Sequence, residues 1–174
     1  MIFWITGLSG SGKTTLSNFL IKKLNKKFKK KIIHLDGDSI RNIFNDLGYS
    51  LEDRLKNAER ISKLVNLLNK NLDVIIVVSI LSVSNKWLSW NKKNNKNYFQ
   101  IFLNVPLKIL KKKNNKKIYL NKRNVVGLDI KYHKPKKNNF IFFNNYKYSF
   151  LINSTKQILE DNKVKKILKK YEKS

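Results

Sequence analysis

The sequence predicts an α/β fold with a mostly parallel, five-stranded sheet and helices on both faces. Short apolar segments rich in β-branched and aromatic residues, typical of buried strands, alternate with longer segments of helical spacing. A strand, helix, strand order implies right-handed crossovers and therefore parallel pairing. The 174 residues fit one domain, 1–174, with a single core.

The first predicted strand runs directly into a glycine-rich turn. Residues 7–14 read Gly-Leu-Ser-Gly-Ser-Gly-Lys-Thr, which fills every fixed position of a phosphate-binding loop. Such glycines allow positive φ and bring backbone amides close to phosphate oxygens, at the positive end of the next helix. Lys13 is expected to reach the β and γ phosphates in catalysis, and the Thr14 hydroxyl to bind Mg²⁺. The predicted nucleotide-binding residues are Gly7, Leu8, Ser9, Gly10, Ser11, Gly12, Lys13, Thr14 and Thr15.

A strand before this loop and a helix after it indicate the P-loop NTPase fold, with ATP and Mg²⁺ as ligands. A purely structural glycine turn is the alternative, and the flanking elements argue against it. The remaining elements follow from periodicity. Strands are predicted at 31–36, 74–80 and 98–103, with short candidates at 140–143 and 150–152, and helices at 13–30, 107–113 and 158–171.

Two carboxylates flank a glycine at the end of the second predicted strand. Ligands of parallel α/β sheets gather beyond the carboxyl ends of the strands, so Asp36 and Asp38 are candidates for phosphoryl transfer. Asp36 could hold Mg²⁺ through water, and Asp38 could accept the proton of an attacking hydroxyl. Alternatively, Asp38 caps the helix that follows. Arg41, one turn later, is expected to point toward the same crevice.

A second polar group lies on the next predicted helix, which opens with Ser50 as N-cap and Asp53 three residues later, an acidic variant of the capping box. Arg54, Asn57 and Arg60 share one side of that helix. Such a stripe is commonly solvated surface. With Arg41 nearby, it is a candidate clamp for the phosphate or sulfate of an acceptor.

The chain is strongly basic, with a net charge of +27 from 38 Lys and Arg against 11 Asp and Glu. Lysine is mixed with asparagine throughout, which favours a compositional bias over a dedicated polyanion face, so nucleic acid is not expected as a partner. The segment 113–122 predicts a mobile basic lid that brings Lys113 and Lys116 to the nucleotide. No targeting or membrane segment is recognised, so a cytoplasmic location is expected, and the chain has no cysteine.

Several motifs together resemble the adenylyl-sulfate kinase family. They are the loop 7–16, Leu-Asp-Gly-Asp at 35–38 with Arg41, Leu-Gly-Tyr-Ser at 47–50, and Gly-Leu-Asp at 127–129. The resemblance implies transfer of the ATP γ-phosphoryl group, with Mg²⁺, to the ribose 3′-hydroxyl of adenosine 5′-phosphosulfate (APS). It also implies that a small-molecule nucleotide is the partner, and it leaves a homodimer open. The implied acceptor-binding residues are Asp38, Arg41, Tyr49, Arg54 and Asn57, and Ser82 stands at a phosphoserine position of the family.

The chain departs from the family pattern near the acceptor. Tyr49 stands where the family usually has phenylalanine, and Val125 replaces the second aromatic residue expected around the acceptor base. The proline and arginine that usually follow Ser82 are missing, and the lid lacks its usual Arg, Asp and Gly. A kinase-like branch of surface-polysaccharide gene sets is similar in Trp90-Asn91, in Asn97-Tyr98-Phe99 and in Asn-Val-Val-Gly at 124–127. This resemblance makes cytidine diphosphoramidate an alternative acceptor.

A function of another class is also compatible with the basic charge and the altered lid. The chain could be a nucleic-acid-binding ATPase or a nucleotide-binding regulator whose kinase chemistry has decayed. This alternative predicts salt-sensitive binding to DNA or RNA. The leading hypothesis remains a kinase in which Lys13, Asp38 and the lid cations act on the transferred phosphoryl group.

Overall fold

A computed structural model describes residues 1–28, 32–113, 119 and 123–172. These residues contain a five-stranded sheet in the spatial order β2-β3-β1-β4-β5, in which all four neighbouring pairs are parallel. The predicted parallel α/β fold is therefore confirmed. The strands are β1 (Ile2–Gly7), β2 (Ile32–Asp36), β3 (Ile75–Ile80), β4 (Tyr98–Leu103) and β5 (Phe140–Phe142).

Helices connect and cover these strands. Within the described ranges they are α1 (Lys13–Lys27), α2 (Gly37–Phe44), α3 (Leu51–Asn71), α4 (Asn85–Asn94), α5 (Leu107–Lys113), α6 (Tyr148–Glu160) and α7 (Asn162–Glu172). Every one of these helices is too short or too polar to cross a lipid bilayer. Most of the predicted lid, including Lys116, lies outside the described residues.

Alternation along β1 sends side chains to opposite faces of the sheet. Phe3 and Ile5 pack against α1, α6 and α7, whereas Ile2 and Trp4 pack against α2, α3 and α4. All four side chains are fully buried, as a central parallel strand requires. The helices on both faces therefore confirm the predicted layer arrangement.

The C-terminal segment differs from the sequence prediction. Residues 150–152 were predicted as a strand, but they belong to α6, which buries Leu151, Thr155 and Ile158 at helical spacing against the sheet. Three apolar residues are too few to reveal a period, so the prediction was wrong. The single helix predicted over 158–171 is also divided. Asp161 separates α6 from α7 and accepts backbone hydrogen bonds from Lys163 and Val164 with its side chain.

The predicted helix start at Ser50 is confirmed. Its hydroxyl accepts the backbone N–H of Asp53 at 3.1 Å, and the Asp53 carboxylate accepts the backbone N–H of Ser50 at 3.2 Å. This reciprocal capping box fixes the first turn of α3. It thereby fixes the position of Arg54 and Asn57, which follow within two turns.

Candidate active site

A cavity of about 650 Å³ opens at the carboxyl ends of the central strands. The phosphate-binding loop forms one side of the cavity, and the beginning of α2 and α3 forms the other. The carboxyl ends of the strands are where ligands of parallel α/β sheets are expected to bind. The predicted residues that line the cavity are Ser9, Gly10, Gly12, Lys13, Thr14, Thr15, Asp36, Asp38, Arg41, Tyr49, Arg54 and Asn57.

The loop needs glycine for two different reasons. Gly12 has φ 96°, and a Cβ there would lie 2.7 Å from the Asn144 amide nitrogen. At Gly7 a Cβ would lie 2.6 Å from the Leu103 carbonyl oxygen of the neighbouring strand. Three predicted nucleotide-binding residues, Gly7, Leu8 and Ser11, are buried within the loop and do not line the cavity. They therefore support its shape rather than face a ligand.

Lys13 begins α1 and lies folded over the loop. Its ammonium group donates a hydrogen bond to the Leu8 carbonyl at 2.9 Å. The amino end of α1 faces the cavity, where the helix dipole favours negative charge. Lys13 thus adds a full positive charge to a turn of backbone donors, an arrangement suited to nucleotide phosphates.

Three side chains from later in the chain donate hydrogen bonds to backbone carbonyls of the loop. The Tyr119 hydroxyl donates to the Ser9 carbonyl at 2.6 Å, and the Tyr146 hydroxyl donates to the Gly10 carbonyl at 3.1 Å. The Asn144 amide donates to the Ser11 carbonyl at 2.8 Å. Sequence reasoning missed these contacts. For Asn144 and Tyr146 the only signal is their place in the turn that begins two residues after the end of β5.

Asp36 and Thr14 form the candidate magnesium site. The Thr14 hydroxyl donates to Asp36 Oδ2 at 3.4 Å across the cavity floor. Burial alone raises the pKa of Asp36, but hydrogen bonds from Ser79 and two backbone amides outweigh it and lower the pKa. One ionised carboxylate beside one hydroxyl fits Mg²⁺, which takes its remaining ligands from water and phosphate. No group of three acidic, histidine or cysteine side chains suited to a metal occurs in the described residues.

The helix-capping alternative for Asp38 is wrong, because Asp36 is the N-cap of α2. Asp36 Oδ1 accepts the backbone N–H of Asp38 at 3.0 Å. Asp38 instead lies in the first helical turn, where its carboxylate accepts a hydrogen bond from Arg41 Nη1 at 3.0 Å. Its side chain is 71% exposed and lines the cavity, so Asp38 can contact a ligand.

The far side of the cavity is cationic and aromatic. The guanidinium carbons of Arg41 and Arg54 lie 4.6 and 5.4 Å from the ring centroid of Tyr49. Arg54 is fixed by hydrogen bonds to the backbone carbonyls of Tyr49 and Asn124, at 3.0 and 3.1 Å. Burial, and then the neighbouring Arg41, lower the pKa of Arg54. Two arginines held this close create a positive potential that suits an anionic ligand.

Two buried polar atoms on this side have no hydrogen-bond partner among the described residues: Arg41 Nε and Asn57 Oδ1. The Asn57 amide nitrogen donates to the Gly37 carbonyl at 3.1 Å, which fixes the side chain between α2 and α3. Since an unpaired buried polar group is costly, such atoms are typical of a binding site built for a polar ligand.

Two residues considered in the sequence analysis, Arg60 and Ser82, lie outside the cavity, whereas a third, Val125, lines it. Arg60 does not line the cavity; it donates to the Asp46 carboxylate at 2.6 Å, so the predicted clamp does not extend beyond Asn57. Ser82 is 4% exposed and also lies outside the cavity wall, with its backbone N–H donating to the Thr6 hydroxyl at 3.3 Å. Val125 does line the cavity. The family resemblance implies an aromatic residue at this position.

The chain is similar in sequence to known kinases. The family model for adenylylsulphate kinase matches residues 1–142. A cytidine diphosphoramidate kinase of Campylobacter jejuni is 37% identical over 139 residues, which cover 77% of this chain and 81% of that protein. An adenylyl-sulfate kinase of Rippkaea orientalis is 36% identical over 138 residues, which cover 76% and 75%, respectively.

The fold gives the same relationship. The APS kinase of Mycobacterium tuberculosis, solved in complex with AMPPNP and APS, superposes with a TM-score of 0.79 at 26% identity. The superposition covers 91% of this chain and 95% of that one. Sequence, fold and the phosphate-binding loop agree that the protein is an ATP-dependent phosphotransferase. The chain belongs to the adenylylsulphate kinase family.

Proposed function

We propose that this enzyme transfers the γ-phosphoryl group of ATP to the ribose 3′-hydroxyl of APS and releases ADP. One observation carries the proposal. A single cavity joins a phosphate-binding loop to a carboxylate, Asp38, and to a cationic aromatic surface made by Arg41, Tyr49 and Arg54. A donor triphosphate and an acceptor nucleotide can therefore meet at Asp38.

On the donor side, the loop amides and Lys13 bind the β and γ phosphates. Tyr119, Asn144 and Tyr146 hold the carbonyls of the loop, which leaves its amides directed toward the phosphates. Mg²⁺, held through Thr14 and Asp36, would neutralise charge on the phosphate oxygens. The result is electrostatic stabilisation by groups that are already in position.

At the centre, Asp38 orients the acceptor hydroxyl and accepts its proton. The hydroxyl oxygen forms the new bond to phosphorus as the bond to the ADP oxygen breaks. Arg41 Nη1 donates a hydrogen bond to Asp38 Oδ1 at 3.0 Å, so the carboxylate is oriented before substrate binds. An in-line transfer needs no phosphoserine, and Ser82 lies outside the cavity, so we assign it no role in this step.

On the acceptor side, the Tyr49 ring supplies a stacking surface for the base, and Arg41 and Arg54 bind the phosphosulfate anion. Arg41 Nε offers a donor and Asn57 Oδ1 an acceptor that the described residues leave unpaired. These groups match an acceptor that carries both an anion and hydroxyl or amino groups.

Cytidine diphosphoramidate is the second candidate acceptor. Val125 offers the cavity a small aliphatic side chain, whereas the family usually places an aromatic residue there. A smaller pyrimidine base loses less from this change than a purine does. The Campylobacter jejuni relative, which is named for that acceptor, supports the same alternative.

The test is a coupled assay of ADP release with ATP, Mg²⁺ and either acceptor, with the phosphorylated product identified by mass spectrometry. We expect turnover with APS. Turnover with cytidine diphosphoramidate alone would establish the alternative acceptor. The variant Asp38→Asn should lose transfer while it keeps ATP binding. ATP hydrolysis that depends on DNA or RNA, without transfer to either acceptor, would contradict the kinase proposal.

Other properties follow from the same proposal. We expect one catalytic domain over 1–174 that acts in the cytoplasm on small-molecule nucleotides. Lys113, at the end of α5, and Lys116 are proposed as lid cations that approach the phosphates when the site closes. We leave a homodimer as one candidate assembly, which sedimentation of the purified protein would decide.

A further inference from the structure

A chain of hydrogen bonds leads away from the candidate magnesium site into the sheet. Ser79 lies opposite Asp36 in the parallel register of β2 and β3, and its hydroxyl donates to Asp36 Oδ2 at 2.8 Å. His34 lies two residues before Asp36 on the same face of β2, with Nε2 3.1 Å from the Ser79 oxygen. His34 does not line the cavity.

The directions of these bonds follow from counting protons. An ionised carboxylate only accepts, so the single hydroxyl proton of Ser79 must point to Asp36. The Ser79 oxygen is then an acceptor, and His34 Nε2 must carry a proton and donate to it. The order is therefore His34 to Ser79 to Asp36, with every donor matched to an acceptor.

This order fixes both oxygens of Asp36. Oδ1 accepts the backbone N–H of Asp38, and Oδ2 accepts the hydroxyls of Ser79 and Thr14. Without His34, the Ser79 hydroxyl could rotate away, and Asp36 would lose its shortest hydrogen bond. A histidine is also an uncommon choice in a strand whose other side chains are mostly apolar.

We propose that His34 is a positioning residue for magnesium, acting through Ser79 to hold the Asp36 carboxylate toward the metal. The inference rests on the proposed function in one respect: it takes the site between Thr14 and Asp36 to be the magnesium site of the nucleotide. It is independent of which acceptor the enzyme uses.

The experiment measures binding of ADP by calorimetry at increasing Mg²⁺ and without Mg²⁺. Outer-shell partners of metal ligands typically contribute 10- to 100-fold to metal affinity. We therefore expect His34→Leu and Ser79→Ala each to raise about 10-fold the Mg²⁺ concentration needed for half of the Mg²⁺-dependent gain in ADP affinity. Binding of ADP without Mg²⁺ should stay unchanged, since Lys13 and the loop hold the phosphates. His34→Gln, which keeps an N–H donor, should restore part of the loss.

Controls separate positioning from packing. The second histidine, His133, is exposed, so His133→Leu should bind as the unaltered protein does. Adding His34→Leu to Ser79→Ala should cause little further loss, because the two act in one chain. Additive losses, equal losses without Mg²⁺, or unchanged Mg²⁺ dependence in folded variants would overturn the proposal. If His34→Leu does not fold, the single variants Ser79→Ala and His34→Gln decide the question. A loss of Mg²⁺ affinity in Ser79→Ala together with a smaller loss in His34→Gln supports the proposal, and no loss in Ser79→Ala overturns it.

Failure of the proposed function looks different. A protein that binds ADP with the expected Mg²⁺ dependence but phosphorylates neither acceptor would contradict the kinase proposal, while the role of His34 would still be decided by the Mg²⁺ dependence of its variants. If ADP binding by the unaltered protein does not depend on Mg²⁺, the positioning role of His34 is overturned, whereas the kinase proposal is still decided by ADP release in the presence of the acceptors.

Discussion

At the scale of single residues, the acceptor side of the cavity is organised before any ligand arrives. The backbone carbonyl of Tyr49 accepts a hydrogen bond from Arg54, and Arg54 also reaches the carbonyl of Asn124. The Tyr49 ring itself is half exposed and lies beside two guanidinium groups. Backbone hydrogen bonding and the two guanidinium groups therefore hold the Tyr49 ring in place while leaving half of it exposed. A ring held in this way is suited to stack on a base.

Replacing this ring should weaken acceptor binding selectively. Stacking contributes about 1–3 kcal/mol per base, so we expect Tyr49→Ala to raise the KM for the acceptor about 10-fold or more. Steady-state kinetics with each substrate varied in turn would measure it. The matched control is Tyr49→Phe, which keeps the ring and should change the KM little. An equal rise in the KM for ATP would show that Tyr49 shapes the whole cavity, contrary to this assignment.

At the scale of elements, helix starts place the functional groups. Asp36 caps α2 with one carboxylate oxygen and faces Thr14 with the other, so one residue both begins a helix and forms the candidate metal site. The capping box at Ser50 does the same for α3, whose first two turns carry Arg54 and Asn57. A substitution that removes a helix cap should therefore lower the stability of the fold and also displace the acceptor-binding side chains on that helix.

Ser50→Ala removes the side-chain acceptor for the Asp53 amide. Loss of such a cap typically costs about 1 kcal/mol, which for a chain of this size lowers the melting temperature by about 2–4 °C. Thermal melting monitored by circular dichroism would measure the effect. Ser84→Ala is the matched control, because Ser84 is the N-cap of α4 without a side-chain capping hydrogen bond. An equal loss in both variants would contradict the assigned cap.

The elements also show what the sequence could predict. The glycine loop, the parallel strands and the cap at Ser50 were predictable because each depends on local residue types in a fixed spacing. The helical state of 150–152 was not predictable, since it is decided by packing of α6 against the sheet. Contacts such as Asn144 to Ser11 join residues more than a hundred positions apart, and no local pattern reports them.

At the scale of the whole molecule, the apolar core stabilises the fold, whereas the net positive charge of the surface destabilises it. Two apolar layers enclose the sheet, while the surface carries most of a net charge of +27. Such a charge draws anionic nucleotides toward the cavity but repels itself within the folded protein. Ion pairs relieve little of this repulsion: in the described residues they are few and mostly at the exposed surface.

Salt should therefore stabilise the fold while it weakens substrate attraction. Raising NaCl from about 0.05 M to about 0.5 M shortens the screening length from about 14 Å to about 4 Å. We expect the melting temperature to rise and the KM for ATP to rise with it, measured by thermal melting and steady-state kinetics in the same buffers. The control replaces three exposed lysines of α7, Lys165, Lys166 and Lys169, with glutamine. Because this variant has less self-repulsion to screen, its melting temperature should respond less to salt. A melting temperature that falls with added salt would mean that attractive ion pairs, not net repulsion, dominate the surface.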